Sequence, residues 1–171
     1  MRKANSGFTV SSFIASKVED VKYAQTKVVA VRNAKADLTK ACTVVNELIA
    51  AIKPLADNVR EYAWVSAVSY DTTVEMYVTV DIPKRLAILD PATKRATYLA
   101  ALAGFDLEEG KKSASEHYAN YTIKGVMLIG VVKVLLDIRS ELDTDNEAST
   151  CKRVQVGTET REVAKYEIVC N

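Results

Sequence analysis

The spacing of apolar positions changes along the chain and predicts a helical first third followed by strand-rich sequence. Residues 17–53 contain neither glycine nor proline, and their apolar side chains recur at intervals of three and four, which is typical of an amphipathic helix. Breaks in this register predict either one long helix or two helices that meet near residues 33–37, within a helical segment over residues 17–59. The periodic positions are Val18, Val21, Val28, Val31, Leu38, Cys42, Val45, Ile49 and Ile52.

The residues before this helix predict a different kind of segment. Residues 1–16 place small polar side chains around a few apolar ones, which indicates an irregular docking arm or a short strand. Ser16 followed by Glu19 matches a capping box, so we expect the helix to begin there. Because valine lowers helix propensity, this helix needs packing against the rest of the chain or against a second copy.

Two segments in the middle of the chain alternate as strands do. Residues 61–70 and 73–82 are rich in Val, Tyr, Trp and Thr. The second segment alternates apolar and polar residues strictly, which predicts a half-buried strand that Pro83 ends. Asp90 and Pro91 then predict a helix start, and Gly104 predicts its end. We expect the charged residues 106–115 to form a loop.

The last third predicts further strands. We expect a strand over residues 118–134, bent at Gly125 or Gly130, with a short helical end near residues 135–142. The apolar run in this segment leaves a buried helix as the alternative. Residues 151–170 predict a terminal hairpin that turns at residues 157–160.

Together these elements predict an α+β fold with two layers. The long N-terminal helix and the second helix pack on a mostly antiparallel sheet of about four or five strands. The pattern indicates a single domain over residues 1–171, with the sheet-bearing core in residues 60–171.

Charge adds an asymmetry that the overall composition hides. The net charge is +1, which argues against a strongly basic nucleic-acid binder and against an acidic nucleic-acid mimic. Residues 1–60 contain ten Lys or Arg and five Asp or Glu, whereas residues 61–171 contain thirteen and seventeen. The basic surface is therefore expected on the helical first third.

The small number of cysteines and histidines argues against several kinds of metal and catalytic site. Three cysteines with no apolar leader after the basic start favour a reducing compartment, and so a cytoplasmic protein. We expect Cys42 to be buried, and we leave a disulfide between Cys151 and Cys170 as the alternative to free thiols. His117 is the single histidine and is expected as a polar residue at the start of a strand. We therefore predict no catalytic residue, no metal site and no cofactor.

Two surfaces are candidates for binding. Aromatic residues on strands stack on bases, and nearby cations bind phosphates, so Trp64, Tyr70, Tyr77, Lys84 and Arg85 form a candidate nucleic-acid surface. The edge of the terminal hairpin favours strand addition by another protein, and the alternative is that Lys165 and Glu167 protect this edge against such pairing. Its candidate residues are Val163, Lys165, Tyr166 and Glu167.

The missing chemical motifs favour binding over catalysis. We expect a non-enzymatic intracellular assembly or accessory protein that acts through protein–protein contacts, either with itself or with a protein partner. The alternative is a nucleic-acid-associated protein that uses the strand aromatics and the basic helical region. No apolar run reaches the roughly 18–20 residues of a bilayer span, so no membrane contact is expected. An accessory protein encoded by a virus or mobile element, acting in the host cytoplasm, would fit such a chain.

Overall fold

The computed structural model describes residues 10–67, 73–115, 117–159 and 163–170. Its helices are α1 (Val10–Asn33), α2 (Lys35–Ile52), the 3-10 turn Lys53–Leu55 and α3 (Pro91–Leu102). Its strands are β1 (Arg60–Ala67), β2 (Val74–Arg85), β3 (Asp106–Leu107), β4 (Lys111–Ala114), β5 (Ala119–Ile129), β6 (Val132–Leu142), β7 (Cys151–Glu159) and β8 (Val163–Cys170). The fold is α+β, as predicted, with more strands than expected.

Six strands form the main sheet, and two form a separate hairpin. The order in the main sheet is β1-β2-β6-β5-β3, and β4 also pairs with β5. Pairing is antiparallel throughout the main sheet except between β2 and β6, which run parallel. The hairpin pairs β7 with β8. The sheet is thus mostly antiparallel, as the sequence predicted.

The main core lies between one face of this sheet and helices α2 and α3. Alternate positions of the two central strands are buried on this face, because side chains of a strand point to opposite sides in turn. Burial of such aliphatic side chains contributes about 1.5–3 kcal/mol each. The buried strand residues are Val74, Met76, Val78, Val80, Ile82, Val132, Val134, Leu136 and Ile138, and the buried helix residues are Ala41, Val45, Leu48, Ile52, Ala92, Ala96 and Ala100.

The helical first third divides at Ala34, within the range that the sequence predicted. Ala34 interrupts the helix, yet its N–H donates to Ala30 O and its carbonyl accepts from Leu38 N. The prediction of an irregular arm over residues 1–16 is wrong where the structure describes it, because α1 already begins at Val10. Ser16 therefore lies inside a helix and does not begin one. Residues 1–9 lie outside the described ranges.

The segment 117–142 contains two strands instead of the single bent strand that was predicted. β5 and β6 form an antiparallel hairpin that turns at Gly130 and Val131. Gly130 has φ 57°, a conformation that glycine adopts freely and that starts a tight hairpin turn. The Asp37 carboxylate accepts a hydrogen bond from Val131 N at 3.1 Å and ties the turn to α2. The helical end predicted at 135–142 is strand, because it pairs with β2 and β5.

Of three local predictions near α3 and the end of β2, one is confirmed and two are wrong. The α3 start is confirmed: Asp90 Oδ1 accepts from Ala92 N at 2.8 Å, and Gly104 follows the helix with φ 95°. Pro83 does not end β2, which continues to Arg85 through a register shift, where a residue without an N–H is tolerated. The expected loop 106–115 contains the short strands β3 and β4.

The terminal hairpin is confirmed and is closed at its base by a disulfide. The turn predicted at residues 157–160 is wrong for residues 157–159, because β7 continues to Glu159. Cys151 and Cys170 lie opposite each other in the register, with 4.0 Å between their Cα atoms, and are bonded. The prediction that Cys42 is buried is wrong, because this residue is exposed on α2. Buried α2 residues recur at positions 41, 45, 48 and 52, and position 42 lies beside that stripe.

Candidate functional site

The second face of the main sheet has no helix packed on it in the described part of the chain. The register aligns one residue from each of four neighbouring strands across this face: Trp64 opposite Tyr77, Tyr77 beside Leu135, and Leu135 opposite Val126. We call these four residues the aromatic strip. Antiparallel sheets commonly leave one face to solvent, but that face is usually polar. An apolar row across four strands is therefore unusual and marks a candidate binding surface.

The two rings of the strip stack on each other. The centroids of Trp64 and Tyr77 are 5.1 Å apart, with 4° between the ring planes. Trp64 remains 53% exposed and Tyr77 is half-buried, so part of the stacked pair is accessible to solvent. A groove of about 340 Å³ runs from this pair across the strip toward Lys124 and Glu108.

Ion pairs flank the strip and neutralise two of the basic residues near it, whereas Lys124 at the end of the groove forms no ion pair with another described residue. Lys133 Nζ lies 4.0 Å from Glu75 Oε1, and Arg139 lies 3.4 Å from Asp137. The Glu75 carboxylate also accepts a hydrogen bond from the Tyr77 hydroxyl. This hydrogen bond, with a smaller effect of burial, raises the pKa of Tyr77 above its ordinary value.

The structure separates the five residues of the predicted nucleic-acid surface. Trp64 and Tyr77 lie together on the strip, and Tyr70 lies outside the described residues. Lys84 and Arg85 lie at the far end of β2, roughly 23–26 Å along the strand from Tyr77. Arg85 instead donates to Pro83 O at 3.1 Å and pairs with Asp90 at 3.6 Å.

The predicted partner-binding edge lies on β8, opposite β7. Tyr166 is half-buried beneath the Arg153 guanidinium, 5.5 Å from its ring centroid, and Glu167 is exposed. Val163 and Lys165 pair with Glu159 and Gly157 in the register. Strand β4 lies along part of β8, where Lys112 Nζ donates to Ile168 O at 3.5 Å.

A polar cavity of about 280 Å³ lies beside the hairpin and includes the single histidine. Its lining includes His117, Glu141, Asp143, Asp145 and Arg153. His117 is exposed, two residues before β5, close to the predicted strand start. The Arg153 guanidinium lies 3.6 Å from Asp145, so opposite charges offset each other there. Within the described ranges, no group of three His, Cys, Asp or Glu side chains is placed to hold a metal ion.

Sequence reasoning identified Trp64 and Tyr77 but missed the aliphatic half of the strip. Leu135 and Val126 lie in apolar runs, and the sequence pattern there did not distinguish the two faces. Their neighbours Leu136 and Gly125 are buried on the helix side, which leaves the strip residues on the open side. The strict alternation of strand side chains is the one signal that points to them.

Neither a protein-family model nor a curated protein matches this chain. No helix among the described residues combines the length and the hydrophobicity that a bilayer span requires. We therefore infer function from the geometry of the open sheet face.

Proposed function

We propose that this chain is a non-enzymatic binding protein that acts through protein–protein contacts at the open sheet face. The observation that supports the proposal is the aromatic strip, an apolar row that crosses four strands where no described helix covers it. Trp64 is exposed, and Tyr77, Leu135 and Val126 are half-buried. Contiguous apolar surface that is partly open to solvent and has a polar border is typical of protein-binding sites. The partner we propose is a peptide segment with an apolar face and charges of both signs at its borders.

The charges beside the strip favour a protein over a nucleic acid. Phosphate binding depends on cations that are free to replace counterions. Among the described residues, two of the three cations near the strip, Lys133 and Arg139, already face carboxylates, which leaves Lys124. Arg60 also lies within 3.6 Å of Glu141. A border with both signs of charge complements the rim of a protein interface.

A random peptide library displayed on phage tests the proposal directly. We expect selected peptides to carry apolar residues flanked by charged ones, and to change the fluorescence of Trp64, the single tryptophan. Trp64→Ala removes the ring at the centre of the surface, so it is expected to weaken binding at least tenfold, as for a central aromatic contact worth about 2 kcal/mol.

Tyr98→Ala is the matched control, because Tyr98 is an equally exposed aromatic residue at 52% on α3, away from the strip. Its peptide affinity should equal that of the parent protein. In a second experiment, a labelled single-stranded oligonucleotide is titrated with the parent protein and with Trp64→Ala at low salt, where phosphate contacts are strongest. Peptides that bind Trp64→Ala as well as the parent contradict the proposal. Oligonucleotide binding that Trp64→Ala abolishes, with no peptide selected, replaces it with the nucleic-acid alternative.

A further inference from the structure

Strand β1 has an outer edge that no other described strand covers. It is the first strand in the order of the main sheet, and within the described residues it pairs with β2 alone. Eight residues long, it carries its charges at Arg60 and Glu61. The remaining six residues, 62–67, contain no charge, no glycine and no proline.

The opposite edge of the same sheet shows the usual protection against strand pairing. It is divided between β3 and β4, which are two and four residues long, and β4 carries Lys111 and Lys112. Short strands and lysines are the devices that keep sheet edges from pairing with other chains. β1 lacks both, although its Tyr, Trp and Val residues have high strand propensity. Helix α1 contacts β1, but no described strand pairs with its outer edge, and an edge without short strands and lysines is suited to pairing with another strand.

We propose that the outer edge of β1 pairs antiparallel with β1 of a second copy of this chain. Identical edges that pair antiparallel form a two-fold contact, and a two-fold contact closes at two copies. Both edges then become internal, and two six-stranded sheets join into one.

The distribution of charge along β1 supports a second copy as the occupant. With the two-fold axis at Ala63, antiparallel pairing places Arg60 opposite Ser66, Glu61 opposite Val65 and Tyr62 opposite Trp64. No like charges then face each other, and two aromatic cross-strand pairs form, which stabilise sheets. Parallel pairing in register would instead place Arg60 opposite Arg60 and Glu61 opposite Glu61.

Sedimentation velocity over the micromolar range measures the predicted contact. The parent protein is expected at twice the 18.8 kDa chain mass. Ala63 is exposed and lies at the proposed axis, so Ala63→Lys and Ala63→Glu each bring two like charges together. Each variant alone is expected at the mass of one chain. An equimolar mixture of the two is expected to regain the mass of two chains, because opposite charges then meet.

Ala101→Lys provides the matched control, since Ala101 is an exposed alanine on α3, and it should remain dimeric. Circular dichroism of each variant checks that the fold is retained. A parent protein that stays at the mass of one chain overturns the inference, as does a dimer that persists in both Ala63 variants. Peptide binding at the aromatic strip and the sedimentation mass test different proposals. A monomer that binds peptides refutes only the edge contact, and a dimer that binds none refutes only the proposed function.

Discussion

A buried pair of hydroxyl groups joins α3 to β6 and offers a quantitative test of the packing beneath the sheet. Thr93 and Ser140 are 1% and 0% exposed, and their Oγ atoms are 2.6 Å apart. Thr93 Oγ1 donates its proton to Asp90 Oδ2 at 2.8 Å, so the Ser140 hydroxyl donates to Thr93. Thr93→Val keeps the shape of the side chain, removes both hydrogen bonds and leaves the Ser140 hydroxyl buried without an acceptor.

The two single substitutions differ in what they leave behind. Thr93→Val loses a hydrogen bond to a charged group and leaves the buried Ser140 hydroxyl without an acceptor. It is therefore expected to lower the free energy of unfolding by about 3 kcal/mol. Ser140→Ala loses one neutral hydrogen bond while Thr93 keeps Asp90, which costs about 1 kcal/mol. The double variant also removes the Ser140 hydroxyl, so no buried hydroxyl of this pair is left without an acceptor. Its cost of about 2.5 kcal/mol is less than the sum, a coupling of about 1.5 kcal/mol.

Urea unfolding followed by circular dichroism measures these three free energies. Thr97→Val is the control on the same helix, because it loses only the hydrogen bond from its hydroxyl to Thr93 O at 2.8 Å. We expect that change to stay within about 0.5 kcal/mol of the parent protein. Additive costs for Thr93→Val and Ser140→Ala would refute the hydroxyl pair, and so would a loss in Thr97→Val as large as that in Thr93→Val.

Two further predictions concern the hairpin and the aromatic strip. Cys151→Ser removes the disulfide between residues 19 apart in sequence and should lower the free energy of unfolding by about 3 kcal/mol on the chain-entropy account. A parent protein whose thermal unfolding is the same with and without reductant would contradict the disulfide. Cys42→Ser is the control, because Cys42 is a free cysteine. The raised pKa of Tyr77 means that the folded state holds this proton more tightly than the unfolded state. Its contribution to stability is present below the ordinary tyrosine pKa and is lost as pH rises through the folded value. Glu75→Gln removes the charge, so tyrosinate absorbance should develop at lower pH than in the parent protein; identical titration curves would contradict this.

The parts of the fold that short-range patterns determine were predictable from the sequence. The alternation in β2 depends on which side chains meet the core, and it is visible within a few residues. The start of α3 depends on Asp90, whose carboxylate accepts N–H groups of its own first turn. Gly104 ends the same helix through a backbone conformation that glycine adopts without strain.

Features that depend on distant neighbours were not predictable in this way. The helix expected at 135–142 is a strand because β2 and β5 lie on either side of it, and no local pattern reports those neighbours. The same limit applies to the aromatic strip, which brings Val126 and Leu135 beside residues from the middle of the chain. Lys84 and Arg85 follow Tyr77 closely in sequence, yet an extended strand separates them from the strip. The exposure of Cys42 is different, because the stripe of buried residues on α2 could have revealed it.

The two proposed surfaces share β1, and this gives their combination a definite geometry. A two-fold axis at Ala63 that is perpendicular to the sheet keeps each copy's open face on the same side. The two aromatic strips would then lie next to each other, with Trp64 of each copy beside the junction. A partner that carries two matching segments would bind both strips at once, and its affinity would rise through effective concentration without new contacts. Ala63→Lys should therefore reduce the affinity for a tandem peptide and leave the affinity for the single peptide unchanged.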